Sequence, residues 1–565
     1  MSHHLRPNLA RRIRLLARTG SLFAAALFIG LAIERGPPVS PEGEGIERDI
    51  QYVFVGVGVF ATTLAWRFPA PGGLLLTVAG AVLGVAAAGR FPPLTALGLA
   101  LLFIVPGVLF LMLWVSERRF LTQALAATFV VGLLALGGQL AMAQHDNAFG
   151  PQHPGSDLKT APVDAVEWVW AGGVTSTGAT VKAKLAVEGG RVRLVASTAA
   201  DLSSPVSSPA ATASNGNVAK LTLSSLASDT IYYYAVEVDG VIDAGRGRGR
   251  FRTFPEGPAS FRFAVGACAR SGSNGAVFDT IRESEPLLYL SAGDLHYENI
   301  DRNDRDAFRD AYDRQLSQPA QAALYASTAF AYTWDDHDYG PNNSDGRAAG
   351  REAARLTYRE YVPHYDLPGG DGDAAIYQAF SVGSVRFILL DTRSERGIAG
   401  ADSLLGPRQL AWLKTELTAA AASHTLVVLV SSVPWIADAS PSRDDWGGYA
   451  AERQEISDFV AGRGIDNLLM IAGDAHMLAI DDGRNSGYAA AGGAGFPVFH
   501  AAALDRPGSE KGGPYSEGAF PGAGQFGLVS VTDDGLNPVR VDLSGRDWTG
   551  KEIVAYSFTL SQPAP

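Results

Sequence analysis

A single cysteine, Cys268, stands among 565 residues, so the chain cannot close an internal disulfide and is no disulfide-stapled scaffold. Charge is scarce as well: Asp, Glu, Lys and Arg make up 18% of residues, against about a quarter in ordinary soluble domains. With 47% hydrophobic residues, that shortage places part of the chain in lipid and excludes disorder. Lysine is absent before residue 146. The first 145 residues carry 11 Arg and 6 acidic groups, a net of +5 within a whole-chain net of −12, which leaves −17 for the remainder. A body of that sign repels polyphosphate backbones, so no nucleic-acid partner is expected.

Five apolar stretches, 14–33, 51–66, 73–89, 94–115 and 121–143, each approach the ~17 to 25 residues that cross a hydrocarbon core. The second and third are short enough to form a re-entrant pair instead. Arg6, Arg11, Arg12, Arg14 and Arg18, then Arg67, then Arg118 and Arg119 fall on one side of a five-span arrangement. The other side holds Arg35, Arg48 and Arg90, diluted by Glu34, Glu42, Glu44, Glu47 and Asp49. Basic residues of short loops stay in the cytoplasm, so the reading is an integral membrane protein with a cytoplasmic N-terminus and an extracytoplasmic body, periplasmic or at the cell surface. Arg11-Arg12 also suits a twin-arginine export signal, but no small-residue cleavage site follows and four further stretches do, which favours an uncleaved anchor in the bilayer. The spans have no ionisable residue at their centres, which argues against an ion pathway.

After a polar, Pro/Gly-rich linker (146–163), β-branched or alternating runs at 165–170, 179–185, 191–196, 218–223, 231–238 and 250–254 alternate with turn residues. They predict an antiparallel β-sandwich over 164–256. Leu226, Thr230 and the Tyr232–Tyr234 run resemble the corner of a fibronectin type III-like sandwich. From 257 to 565 the pattern becomes α/β, with apolar runs at 261–267, 287–291, 329–334, 385–390, 425–431 and 467–472, several followed by amphipathic helical segments. Their sequels carry the chemistry: Cys268, Gly293-Asp294, Asp335 to Asp338, Asp391-Thr392-Arg393, Val433-Pro434-Trp435 and Gly473-Asp474-Ala475-His476. Open α/β sheets bind ligands beyond the carboxyl ends of their strands.

Each motif alone is weak, but together they are not. Asp294, Asp336 and Asp474 with His476 gather hard oxygen and imidazole donors that suit di- or trivalent cations, and a cation offsets the mutual repulsion of the carboxylates. Cys268 directly follows a strand, where a metal holds it as a thiolate. Tyr297 adds a phenolate, a donor for a strongly acidic ion such as iron(III).

These residues resemble the alkaline phosphatase D (PhoD-like) metallophosphatases, through "VGACAR" at Cys268, "GDLHY" at Asp294 and Tyr297, "WDDHDYGPNN" over 334–343, "LLDTRSER" over 389–396, "LLGPRQLAWL" over 404–413 and "GDAH" over 473–476. The resemblance covers roughly residues 160 to 560 and leaves the apolar N-terminus outside. It implies a metallophosphatase domain of two packed β-sheets flanked by helices, with iron(III) and calcium. By position Cys268, Asp294, Tyr297 and His476 would hold iron, while Asp336, Asp474 and Asn343 would lie on the calcium side with Asp294 bridging; Asp335 is the alternative to Asp336. Metal-held hydroxide would attack phosphorus in line, His337 would protonate the leaving oxygen, and Arg393, or secondarily Arg270, would clamp a phosphate oxygen. Ser431-Ser432 stands before Val433-Pro434 where many metallophosphatases have a histidine, which favours an oxygen-bound second metal such as calcium over zinc. His296 lines the site or is solvated, and the Gly-rich stretch 481–522 has no assigned task.

The function so implied is a membrane-anchored phosphoesterase for phosphate mono- or diesters. Two alternatives stand beside it: a phosphodiesterase for phospholipid head groups or teichoic-acid-type polymers, and a non-catalytic metal-binding or adhesion module on an anchor.

Overall fold

The computed structural model describes residues 7–34, 45–89, 93–116, 120–152, 164–186, 190–214, 216–493 and 495–562. They form two compact units, Met1–Ala148 and Phe149–Pro565. Of the charges that orient the spans, Arg6, Arg35, Arg90, Arg118, Arg119, Glu42 and Glu44 lie outside the described residues, as does most of the linker.

The described residues of the first unit form helices α1 (Pro7–Glu34), α2 (Gly45–Arg67), α3 (Pro69–Ala88), α4 (Pro93–Val115) and α5 (Phe120–Phe149). Proline opens α3 and α4, where its missing N–H leaves no helical bond unmade. The segments Pro69–Ala88, Pro93–Val115 and Ala126–Phe149 are each long and apolar enough to cross a membrane. α3 and α4 pack backbone to backbone: a Cβ on Gly73 or Gly80 would press at 2.8 Å on the carbonyl oxygens of Gly107 and Ala100. Small residues of this kind let helices approach where lipid removes the hydrophobic drive between them.

The second unit begins with β1 (Val166–Gly172), β2 (Ala179–Leu185), β3 (Val192–Ser197), β4 (Val206–Ser207), β5 (Val218–Leu223), β6 (Ile231–Val238), β7 (Val241–Ile242) and β8 (Arg248–Arg252). It continues through β9 (Phe261–Gly266), α6 (Ala276–Glu283), β10 (Leu288–Ser291), α7 (Arg305–Leu316), α8 (Pro319–Ser327), β11 (Ala329–Tyr332), α9 (Asp336–Tyr339) and α10 (Arg351–Tyr361). Next come β12 (Gln378–Val382), β13 (Val385–Leu389), α11 (Gly406–Ser423), β14 (Leu426–Ser431), α12 (Ala450–Arg463), β15 (Leu468–Ala472), β16 (Met477–Asp481), β17 (Val498–Ala501) and β18 (Ala519–Pro521). β19 (Gln525–Thr532), β20 (Val539–Asp547) and β21 (Glu552–Leu560) close the chain.

Two large sheets result, ordered β21-β20-β19-β9-β10-β11-β1-β2-β5 and β12-β13-β14-β15-β17-β16-β18. β9, β10, β11 and β1 run parallel in the first, and β13, β14, β15 and β17 in the second. Their inner faces share one core in which Phe263, Val265 and Leu290 meet Phe387, Val428 and Ile471. Burying side chains of this size contributes about 1.5 to 3 kcal/mol each. Outside the first sheet lie α6, α7, α8 and α10, through Phe278, Tyr312, Tyr325 and Tyr358. α11 and α12 cover the second through Leu413, Leu417, Ile456 and Val460.

The early β segment is not bounded as its sequence suggests. β1, β2 and β5 continue the large sheet, with Gly172 paired to Phe330, and only β3, β4, β6, β7 and β8 form a sheet of their own. The reason is in β1 itself, whose two tryptophans point at the helices. Trp168 Nε1 donates to Asp313 Oδ1 at 2.9 Å, and Trp170 stacks on Tyr325 at 5.9 Å. At the opposite corner the Tyr232 hydroxyl accepts the Ala227 N–H at 3.0 Å.

Candidate metal centre

The carboxyl ends of β9, β10, β11, β13, β14 and β15 converge, delivering Cys268, Asp294, Asp335-Asp336, Arg393, Ser432 and Asp474. Cys268, Asp294 and Asp474 leave their strands in left-handed backbone, at φ 61°, 54° and 62°. That conformation is uncommon without glycine and concentrates at functional sites. Neighbouring strand ends lie close: a Cβ on Gly293 would sit 2.7 Å from that of Asp335, and one on Gly473 would collide with the Ala292 carbonyl.

One Asp294 oxygen, Oδ2, collects two partners: Cys268 Sγ lies 3.6 Å away and Tyr297 Oη donates at 2.7 Å. The same Tyr297 Oη lies 3.2 Å from His476 Nε2. The other oxygen, Oδ1, is buried without a hydrogen-bond partner. Ligand atoms of Asp294, Asp336 and His337 all lie within 4.8 Å of one another. Asp336 is held by the backbone N–H of Asn343 at 2.6 Å and of His337 at 2.9 Å. His476 Nδ1 faces the Pro507 carbonyl at 2.8 Å, so it carries the proton and leaves the Nε2 lone pair toward the cluster, the arrangement usual in metal-ligating histidines.

Electrostatics point the same way. Burial, then Asp336, Asp335 and Asp338, pushes Asp294 well above the usual carboxylate range. Burial, then Asp294 and Asp474, raises the Cys268 thiol. Burial, then Lys511 and Arg506, pushes His476 down to about 3, keeping it neutral. Asp336 is the exception: burial opposes its charge, but Arg393, His337 and the Asn343 amide bring it down to about 2. Buried carboxylates, a thiol and a phenol that cannot all ionise together, beside an unpartnered oxygen and a neutral imidazole, fit a bound metal cation.

Several expected roles change. Arg393 is fully buried: its Nε lies 2.6 Å from Asp335 Oδ1 and its Nη2 3.0 Å from Asp444 Oδ2. It therefore neutralises carboxylates behind the site and does not face substrate. Asp335, also held by Ser432 Oγ at 2.7 Å, belongs with that pair. Arg270 turns to Asp505, 3.7 Å from Nε to Oδ2, and its backbone N–H bonds the same carboxylate. Asn343 supports Asp336 through its main chain, while its side-chain oxygen accepts from Asn342 Nδ2 at 2.9 Å. His296 neither lines the site nor is solvated. It is fully buried, edge-on to Tyr312 at 5.8 Å, and pushed down to about 3 by burial. His337 keeps an open position: Nδ1 lies 2.6 Å from Asn299 Oδ1 and the ring lies tilted against Tyr297, centroids 4.0 Å apart, with Nε2 3.9 Å from Asp336 Oδ1.

Two groups escaped the sequence reading, and a third, Asp338, was given no role in it. Buried Asp338 accepts the N–H groups of His296 and Asp335, both at 3.1 Å. Lys511 Nζ reaches Asp474 Oδ1 at 2.6 Å, and the Arg506 guanidinium lies 4.0 Å over the Tyr297 ring. The last two come from the Gly-rich stretch, where composition gives no register.

Residues 263–516 match the family described as PhoD-like phosphatase, and residues 7–122 match a family described as a domain of unknown function, DUF7670. Alkaline phosphatase D of Bacillus subtilis (strain 168) is 27% identical over 202 residues, which span 30% of this chain and 34% of that protein, about a third of its length. A solved structure of PhoD superimposes with a TM-score of 0.60 at 17% identity, covering 71% of this chain and 91% of the other. That likeness establishes a common fold of sheets and helices.

Proposed function

We propose that this chain, whose residues 263–516 match the PhoD-like phosphatase family, is a membrane-anchored, extracytoplasmic, metal-dependent phosphoesterase acting on phosphate mono- or diesters. The observation that carries the reading is the buried donor set at the strand ends, with Asp294 Oδ1 unpartnered and His476 Nε2 deprotonated. Cys268, Asp294, Tyr297 and His476 would hold iron(III), and Asp336 and Asp474 calcium. Bound there, the ions would acidify water and offset charge growing on the phosphoryl oxygens. The residues do the rest. Tyr297 and the amides of Asn343 and His337 fix the carboxylates, and Arg393 with Ser432 holds Asp335 in place. As the bond from water oxygen to phosphorus forms and the ester P–O bond breaks, His337 in its imidazolium form, with Nδ1–H held by Asn299 Oδ1 and the charge favoured by Asp336, gives its Nε2 proton to the leaving oxygen. The arginine distribution of the apolar unit supports five spans with the body outside the cytoplasm.

The full-length chain in detergent micelles tests this. Iron and calcium in the purified protein, a visible tyrosinate-to-iron band lost in Tyr297→Phe, and chromogenic ester turnover lost in His337→Ala are expected. A folded protein that is colourless, metal-free and inactive would overturn the reading. Reporter fusions after Arg119 and Ala143 should report opposite sides of the membrane.

A further inference from the structure

We propose that Arg506 and Lys511, on the loop after β17, grip the anionic phosphoryl oxygens of the substrate and select phosphate monoester dianions over diester monoanions. This rests on the phosphoesterase reading and names the residues that give it specificity. Five carboxylates surround the centre: Asp294, Asp335, Asp336, Asp338 and Asp474. A dianion approaching them needs cations on its own side, and the family's motifs leave a gap there. Arg393 is enclosed between Asp335 and Asp444, and Arg270 is turned to Asp505.

The 505–515 loop fills that gap. Arg506 lies over Tyr297, the phenol bonded to Asp294, and its buried Nε has no hydrogen-bond partner. Lys511 stands at Asp474 with 41% of its side chain exposed, so the side chain borders solvent as well as the carboxylate. The loop is pinned at both ends of this pair. Pro507 O accepts from His476 Nδ1, the Ser509 N–H donates to His476 O at 3.0 Å, and Tyr515 Oη donates to Lys511 O at 2.9 Å. Gly512, at φ 74°, packs so tightly that a Cβ would collide with the Ile436 carbonyl. Cations held this way bind an anion without first ordering a loop. Near neutral pH a phosphate monoester carries up to two charges and a diester one, so each fixed cation favours the monoester.

The test uses the full-length chain in micelles loaded with iron and calcium. Inorganic phosphate binding is measured by calorimetry, and kcat/KM is measured on 4-nitrophenyl phosphate and bis(4-nitrophenyl) phosphate. Arg506→Met and Lys511→Met should each weaken phosphate binding at least about tenfold. Each should also lower monoester kcat/KM at least about tenfold more than diester kcat/KM, while Lys511→Arg stays within about threefold of the parent. Metal content is measured throughout; Arg506→Met, which touches none of the carboxylates, decides the matter if Lys511→Met loads poorly. A parent that binds phosphate as tightly as both Met variants overturns this proposal and leaves the phosphoesterase standing. A parent that neither binds phosphate nor cleaves either ester overturns the phosphoesterase reading, and this proposal with it.

Discussion

Arg393→Met separates a buried supporting cation from a substrate clamp. The arginine and Asp335 are both wholly excluded from solvent, 2.6 Å apart, and Asp444 closes the far side of the guanidinium. Burial opposes the arginine's charge, but Asp335, Asp444 and Asp336 together hold it well above its ordinary pKa. Methionine keeps the packing of the stem and deletes the charge. That leaves Asp335 with Ser432 alone, beside Asp336 and within the field of Asp474. Breaking one side of a buried ion pair costs about 3 to 5 kcal/mol, enough to lower the melting temperature of the body by several degrees. Adding Asp335→Asn removes the stranded charge, so the double variant should recover much of the loss. Thermal unfolding in micelles, followed by near-ultraviolet dichroism, reads both variants. If Arg393→Met melts with the parent and only raises KM, the buried-pair reasoning is wrong and the arginine is a clamp after all.

Three further outcomes follow from other contacts. Lys182 of β2 donates to the carbonyls of Arg359 and Glu360 at 3.0 and 2.7 Å, and burial, then Lys220, lowers its pKa from 10.5 to about 7. A depressed ammonium costs stability in full below about pH 7, and that cost is shed as pH rises toward 10.5. The parent should therefore gain up to a few kcal/mol on Lys182→Met across that window; parallel unfolding profiles would refute this. Asp243→Ala removes a carboxylate that accepts the N–H groups of Ala165, Val166, Gly245 and Gly247 at 2.8 to 3.1 Å. With those donors buried, a loss of about 2 to 4 kcal/mol is expected, and limited proteolysis should cut first before β1. Gly473→Ala forces a Cβ into the Ala292 carbonyl, so metal content should fall while far-ultraviolet dichroism stays near the parent; full metal retention counts against close strand approach.

The parallel strands were legible because they are short, apolar and bounded. Expected runs at 261–267, 287–291, 329–334, 385–390, 425–431 and 467–472 became β9, β10, β11, β13, β14 and β15. Motifs after those strands were legible for the same reason, since a side chain at a strand's carboxyl end has one place to go. What sequence could not give was partner choice. Nothing local in "VEWVWAG" says that Trp168 and Trp170 will seek α7 and α8 and join β1 to β11. Arg393 reads as a phosphate clamp until Asp444, 51 residues away, encloses it. Arg506 and Lys511 sit in a stretch where glycine hides the periodicity on which sequence reading depends, and β17 and β18 went unseen there too.

The order of the first sheet carries a consequence for how the protein is made. Its nine strands come from both ends of the body: β1, β2 and β5 emerge first, β9 to β11 add to β1 some hundred residues later, and β19 to β21 attach to β9 only at the end. A ribosome delivering this chain at roughly 5 to 20 residues per second exposes the free edge of β9 for tens of seconds before Gln525–Thr532 can cover it. During that interval the open edge invites pairing with other chains. Shortening the chain by its last forty residues would make that vulnerable interval permanent, so the C-terminal strands act as a closing seal on the finished product as much as part of its framework.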